Sequence, residues 1–218
     1  METFFQILTI SIVQGVTEFL PVSSSAHLVL ISNKKLFFKI ILASIPLFFF
    51  GYLTVKLNLV SELRTYKVIG WTTITFGILL YFADKFSTNH KIKENFSSKN
   101  AVLLGFFQVL ALIPGVSRSG IIMTGARLLK FNREDAAKIS FLMSIPALAG
   151  TGVFGAYTLI EKEDVILNIN SIITIFFSFI ISYFTMKYFI IFLRSFNLNL
   201  IIGYRLILGS IILFITYL

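Results

Sequence analysis

An all-α integral membrane protein is the fold class this sequence predicts, and three observations predict it. Of the 218 residues, 56% are hydrophobic and only 13% charged, against about 45–50% and about 25% in soluble globular chains. Five apolar stretches approach the ~20 residues that a helix needs to cross a bilayer. The 19 Lys and Arg against 10 Asp and Glu leave a net charge of +9. In a chain with a mean hydropathy of +0.88, that excess reads as loop charge orienting the helices, not as a nucleic-acid footprint. This balance excludes a soluble enzyme, a disordered tail and a nucleic-acid module. The absence of cysteine excludes disulfides and thiolate metal sites.

In chain order, the first apolar stretch is Phe4 to Val13. It is too short to cross and runs into a polar, Pro- and Gly-bearing sequence, the pattern of a re-entrant or broken helix. Its only early charge is Glu2, so it lacks the basic region of a cleaved signal peptide. Leu36 to Leu57 is long enough to span, and Val68 to Ala83 is a shorter candidate. The longest polar stretch, Asp84 to Asn100, is too short to build a soluble core. Ala101 to Ile113 is again too short to cross and runs into Pro114 and Gly115, a second re-entrant candidate. Ile139 to Ile160, Ser171 to Leu193 and Leu200 to Leu218 complete the spans. The chain therefore reads as a single membrane domain over 1–218, with one half at about 1–83, a loop at 84–100 and a second half at about 101–218.

The two short stretches resemble each other. A shift of 94 residues places Gln14 on Gln108, Val22 on Val116, Ser23 on Ser117 and Ser25 on Ser119. Paired interrupted segments in the two halves of a membrane protein are the best sequence pointer to its binding site. The acidic loop Glu161 to Asn170 is expected outside. Alternation then places Lys130, Arg133, Lys138, Lys187 and Arg194 inside and the C-terminus outside, as basic loops require. Lys56, Arg64 and Lys67 fall outside and fit less well. Lys39 and Lys187 are expected to snorkel to headgroups, Arg205 to pair within the bundle, and His90 to be solvated. Arg127 suits either a phosphate contact or the inner surface.

Two motifs carry chemistry. In Gln14-Gly-Val-Thr-Glu18-Phe-Leu-Pro-Val-Ser23-Ser24-Ser25-Ala-His27, ionisable and hydroxyl groups lie in apolar surroundings, where they are expensive and therefore usually functional. Gln14 and Glu18, four residues apart, share a helix face. They offer two oxygen ligands to a hard cation, Mg2+ or Ca2+, whose shell substrate phosphates complete. The bland alternative makes Glu18 an interfacial helix end and the serines a cap. In Pro114-Gly115-Val-Ser117-Arg118-Ser119-Gly120 a Gly-flanked loop opens a helix, whose N-terminus favours phosphate. Arg118 adds a permanently charged fork. A metal-binding carboxylate, hydroxyl nucleophiles, a His titrating near neutrality and an anion loop together suit phosphoryl transfer.

In these motifs the chain resembles the undecaprenyl pyrophosphate phosphatase family, integral membrane enzymes associated with bacitracin resistance. The similarity extends, more loosely, to Ser140 to Pro146 and to Tyr204-Arg205. The resemblance implies removal of the terminal phosphate from a C55 polyprenyl pyrophosphate in the bacterial inner membrane, regenerating the lipid carrier of peptidoglycan synthesis. It places the family's acidic motif on Gln14 and Glu18 with a divalent cation, its histidine on His27 and its proposed serine nucleophile on Ser24, and leaves open whether Ser24 or His27 makes the first attack. Its phosphate-binding pair falls on Ser117 and Arg118, with Ser23, Ser25, Gly115, Ser119 and Gly120 in the surrounding substrate-binding loops. It implies two re-entrant hairpins of an inverted repeat meeting at mid-membrane, and it leaves a homo-oligomer open. Two features depart from the family. Gln14 removes one negative charge from any metal site, and only Leu28 to Lys35 occupies the interval where relatives carry a further hydrophobic segment. Two other readings therefore stand beside hydrolysis: a lipid-phosphate or anion carrier of inverted-repeat type, and an inactive shortened relative.

Overall fold

The computed structural model describes residues 34–57, 63–86, 89–161 and 169–218. The described helices are α1 (Lys34–Lys56), α2 (Tyr66–Lys85), a single turn α3 (Ile92–Asn95), α4 (Ser98–Val109), α5 (Arg118–Leu128), α6 (Arg133–Glu161), α7 (Ile169–Ser195) and α8 (Asn199–Tyr217). Five of them, α1, α2, α6, α7 and α8, are long and apolar enough to cross a membrane, as the sequence predicts. Phe4 to Val13 and the first motif, with Gln14, Glu18, Ser23, Ser24, Ser25 and His27, lie outside the described residues.

The second short stretch forms a re-entrant hairpin. Ser97 starts α4 by accepting the Asn100 amide on its hydroxyl (3.1 Å), a standard N-cap. A 3-10 turn at Leu110–Leu112 ends that arm. The chain reverses at Gly115, whose φ is +86°, and α5 returns. The hairpin closes where it began: the His90 amide donates to Lys130 O (2.9 Å), the Asn132 amide donates to His90 O (3.1 Å), and the Phe96 and Phe131 rings meet edge to face. Arms of 12 and 11 residues reach about 16–18 Å at 1.5 Å per residue. That is roughly half of the ~30 Å hydrocarbon core, so the tip lies near mid-membrane.

The spanning helices hold this hairpin on several sides. α1 runs beside α4, and the approach is so close that a Cβ on Gly105 would stand 2.3 Å from Ala43 O. α2 and α8 pair antiparallel, with Gly70 against Leu213 and Gly77 against Arg205. The buried core is built around the hairpin from Ile40, Leu104, Ile121, Ile122, Phe131, Ile139 and Met143. Phe38, Phe49, Phe176 and Phe214 are exposed, forming the apolar surface that a bilayer covers.

The hairpin base is polar and basic. Asp84, at the end of α2, is buried and paired with Arg127 Nε (2.9 Å) and Arg133 Nε (2.9 Å). Arg194 grips Glu134 through two hydrogen bonds (2.9 and 3.1 Å). This settles the two readings of Arg127: it locks the hairpin base to α2 and donates to Phe131 O (2.9 Å). It lies nine residues, or about 14 Å along the helix, from Arg118. The Lys39 ammonium donates to Phe96 O at the hairpin base. One expectation is corrected. His90 is half-buried against Phe131, with Nδ1 3.0 Å from Leu129 O, because its backbone closes the hairpin.

Candidate active site

The hairpin tip brings Gly115, Ser117, Arg118, Ser119 and Gly120 together, all half-buried. Gly115 is required by space as well as by conformation: a Cβ there would lie 2.2 Å from Thr72 Oγ1 and 2.6 Å from Ile69 O. The loop's carbonyls, which would repel a phosphate, are turned onto other elements. Thr72 Oγ1 donates to Pro114 O (2.7 Å) and Thr73 Oγ1 to Gly115 O (3.3 Å), while an Arg205 Nη2 also reaches Gly115 O (3.4 Å). Both threonines come from α2, one crossing away.

Ser117 is the N-cap of α5 and accepts the Gly120 amide on its hydroxyl (3.1 Å). It lies 3.2 Å from the Ser119 hydroxyl, so the two serines form one polar patch at the helix start. The next turns are fixed from α6 and from within α5: Ser140 Oγ donates to Ser119 O (3.2 Å) and Thr124 Oγ1 to Gly120 O (2.8 Å). Arg118 is the first residue of α5. A guanidinium, two hydroxyls and the positive end of a helix dipole thus share one half-buried tip, a combination that favours phosphate oxygens.

Two further side chains belong to this level. Gln108, the repeat partner of Gln14, is fully buried at the end of α4, and among the described residues neither its amide nitrogen nor its oxygen has a hydrogen-bond partner. Arg205 on α8 is 8% exposed and, as the sequence reading expects, finds its partners within the bundle, at Thr73 O and Gly115 O of the tip. Gln108 is visible in the 94-residue repeat and Ser140 falls in the looser family similarity, whereas Thr72 and Thr73 carry no local signal because each acts across a helix–helix contact. Among the described residues no group of three His, Cys, Asp or Glu side chains gathers to hold a metal. The expected metal ligands Gln14 and Glu18, and the expected catalytic Ser24 and His27, lie outside the described residues.

Comparison with known proteins agrees with the motifs. The family model described as bacitracin resistance protein BacA matches residues 32–211, a span that includes the whole hairpin. A protein of Pelagibacter ubique named undecaprenyl-diphosphatase is 42% identical over 254 positions, covering 99% of each chain. Proteins of the same name from Jannaschia sp. and Ruegeria sp. are each 33% identical, covering 97% or more of both chains. The Pelagibacter alignment runs over 254 positions and this chain supplies at most its 218 residues. At least 36 aligned positions, the difference between those lengths, therefore have no counterpart here. With nearly all of both chains covered, the shortfall is internal, and it is large enough for one ~20-residue crossing and its loop. By its motifs, its hairpin and these matches, the chain belongs to the bacitracin resistance protein BacA family.

Proposed function

We propose that this protein hydrolyses undecaprenyl pyrophosphate to the monophosphate and inorganic phosphate in the bacterial inner membrane, recycling the carrier for peptidoglycan synthesis and conferring resistance to bacitracin. The observation that carries the reading is the tip of the re-entrant hairpin: an Arg-Ser loop, its carbonyls turned away, set near mid-membrane in a chain whose relatives are named for this reaction. A lipid pyrophosphate has its charge at the head and its chain in the bilayer, and an anion loop inside a helical bundle suits it.

In this reading Arg118, with Ser117, Ser119 and the α5 N-terminus, binds the non-bridging oxygens of the terminal phosphate and takes up charge as it develops. The Ser24 hydroxyl attacks the terminal phosphorus and His27 takes its proton. The anhydride bond breaks and the lipid monophosphate leaves. Water then cleaves the serine phosphate and releases inorganic phosphate. Ser23, Ser25, Gly115 and Gly120 shape the loops around the substrate. The donor chemistry fits a divalent cation: the Glu18 carboxylate and the Gln14 amide oxygen are hard ligands, and Mg2+ or Ca2+ accepts such a pair with phosphate and water oxygens. That ion supplies charge neutralisation of the pyrophosphate when bound.

The test is phosphate release from a C55 pyrophosphate by purified protein, before and after chelation and with Mg2+ or Ca2+ restored. Release that falls on chelation and returns with metal is the expected result. The carrier reading predicts the opposite pair: no release, and net flux of a non-hydrolysable lipid analogue across vesicles.

A further inference from the structure

Arg205 is the second cation at the hairpin tip, and among the described residues it lacks the acid partner that the arginines of the hairpin base have. At the hairpin base Arg127 and Arg133 share the Asp84 carboxylate and Arg194 grips Glu134. Arg205 sits seven residues into an otherwise apolar helix and is more than nine-tenths buried. Among the described residues no carboxylate lies within ion-pair distance of it. Among the described residues its hydrogen bonds are two long ones, from Nη2 to Thr73 O (3.3 Å) and to Gly115 O (3.4 Å), and Nε has no partner there. A buried charge that no acid neutralises destabilises the fold, and such residues inside a membrane mark functional sites.

Its position says which site. The Nη1 atom lies 3.1 Å from the point where a Cβ on Gly120 would stand, so the guanidinium packs against the first turn of α5 in the space that glycine leaves. The same turn carries Arg118 and the Ser117 cap. Gly115 O, which Arg205 holds, is in the reversal that precedes them.

We propose that Arg205 is a positioning residue for the pyrophosphate: it fixes the anion loop from behind and adds a positive charge, paired with no carboxylate among the described residues, that raises the loop's affinity for the substrate's head. This rests on the hydrolase reading above. The substrate's phosphates supply the negative charge that no described carboxylate gives Arg205, and Gly120 is glycine so that this charge reaches the helix start.

The experiment compares Arg205→Lys, Arg205→Gln and Arg205→Met with the wild-type chain. It reads KM and kcat on a C55 pyrophosphate, the thermal shift produced by inorganic pyrophosphate, and the Tm without ligand. Lysine keeps the charge, glutamine keeps a donor without charge, and methionine keeps neither. Arg205→Met and Arg205→Gln are expected to weaken pyrophosphate binding and raise KM about tenfold, the effect of a unit charge on the order of 10 Å away in a partly buried site. Their Tm should equal or exceed that of the wild type, since an unpaired buried charge has been removed. Arg205→Lys should recover most of the affinity. Wild-type affinity in Arg205→Gln would overturn the proposal, because the hydrogen bonds alone would then suffice. A Tm that falls in step with affinity, or failure of all three variants to fold, would make Arg205 structural and overturn it equally. A wild type that binds inorganic pyrophosphate without turnover would defeat the hydrolase reading instead, while the thermal shifts still judge Arg205.

Discussion

Arginines divide the molecule into two kinds of site. Those at the hairpin base are matched to acids, whereas Arg118 opens α5 at the half-buried tip beside the Ser117 and Ser119 hydroxyls. In the hydrolase reading Arg118 acts on the charge of the substrate, so its removal should show in chemistry before it shows in folding. Arg118→Ala is expected to lower kcat/KM by about 100-fold or more, in the range of a lost oxyanion donor, with insertion and Tm unchanged. Steady-state kinetics beside a melting curve checks both halves of that statement. The base should behave in the opposite way. Asp84→Asn leaves Arg127 and Arg133 without their shared carboxylate, and breaking a buried pair from one side costs about 3–5 kcal/mol. Its Tm should drop sharply while the residual folded fraction retains wild-type KM. The tip residues were legible because Pro114 to Gly120 is a local pattern whose chemistry follows from neighbours in sequence. The base was not: Asp84 meets Arg127 only through the fold, and His90 reads as solvated because its partner, Leu129 O, is a backbone group brought up by the hairpin's closure.

At the scale of elements, apolar run length predicted the crossings and the break at Ile113, since a helix that stops halfway leaves a short run followed by Pro and Gly. It set some helix starts wrongly. α6 begins at Arg133, two turns before the apolar run at Ile139, because Asn132 Oδ1 accepts the Asp135 amide (2.8 Å) and Glu134 and Asp135 complement the helix dipole. Likewise α2 extends from Tyr66 to Lys85, past both ends of its apolar core, with Thr65 as cap. The contact between α1 and α4 was not legible at all, since nothing in sequence marks Gly105 as the close approach. Gly105→Ala would drive a methyl group into Ala43 O, which is backbone and has little room to move, and should cost about 1–3 kcal/mol as overpacking does. A Cβ at Gly203 on α8 has nothing within 4 Å among the described residues, and Gly203→Ala should be neutral or slightly stabilising, as alanine is in a helix interior. Paired melting curves of the two variants check this contrast.

For the whole molecule, the ends of the helices sort by charge. Lys34, Lys35, Lys85, Lys130, Arg133, Lys138 and Arg194 gather at the hairpin's base, whereas Lys56, Arg64 and Lys67 mark the described part of the other end. By the positive-inside tendency the larger basic group is expected in the cytoplasm and the other end outside. The chain has no cysteine, so single cysteines report topology cleanly. A membrane-impermeant maleimide should label Arg64→Cys in intact cells and Lys130→Cys only in inverted vesicles. α1 starts on the same side as the hairpin base, through Lys39 and Phe96, and only a few residues separate it from His27. An inverted partner hairpin would need a crossing that this interval does not hold, in keeping with the internal shortfall of at least 36 positions against the Pelagibacter relative. The central claim is that the shortened chain still hydrolyses its lipid with the two motifs it retains. Phosphate release from C55 pyrophosphate, measured in matched proteoliposomes of wild type, Ser24→Ala and Arg118→Ala with Mg2+ present, tests it most directly. Release by the wild type that both substitutions abolish is the predicted result. No release from folded wild type, or undiminished release from either variant, would contradict it.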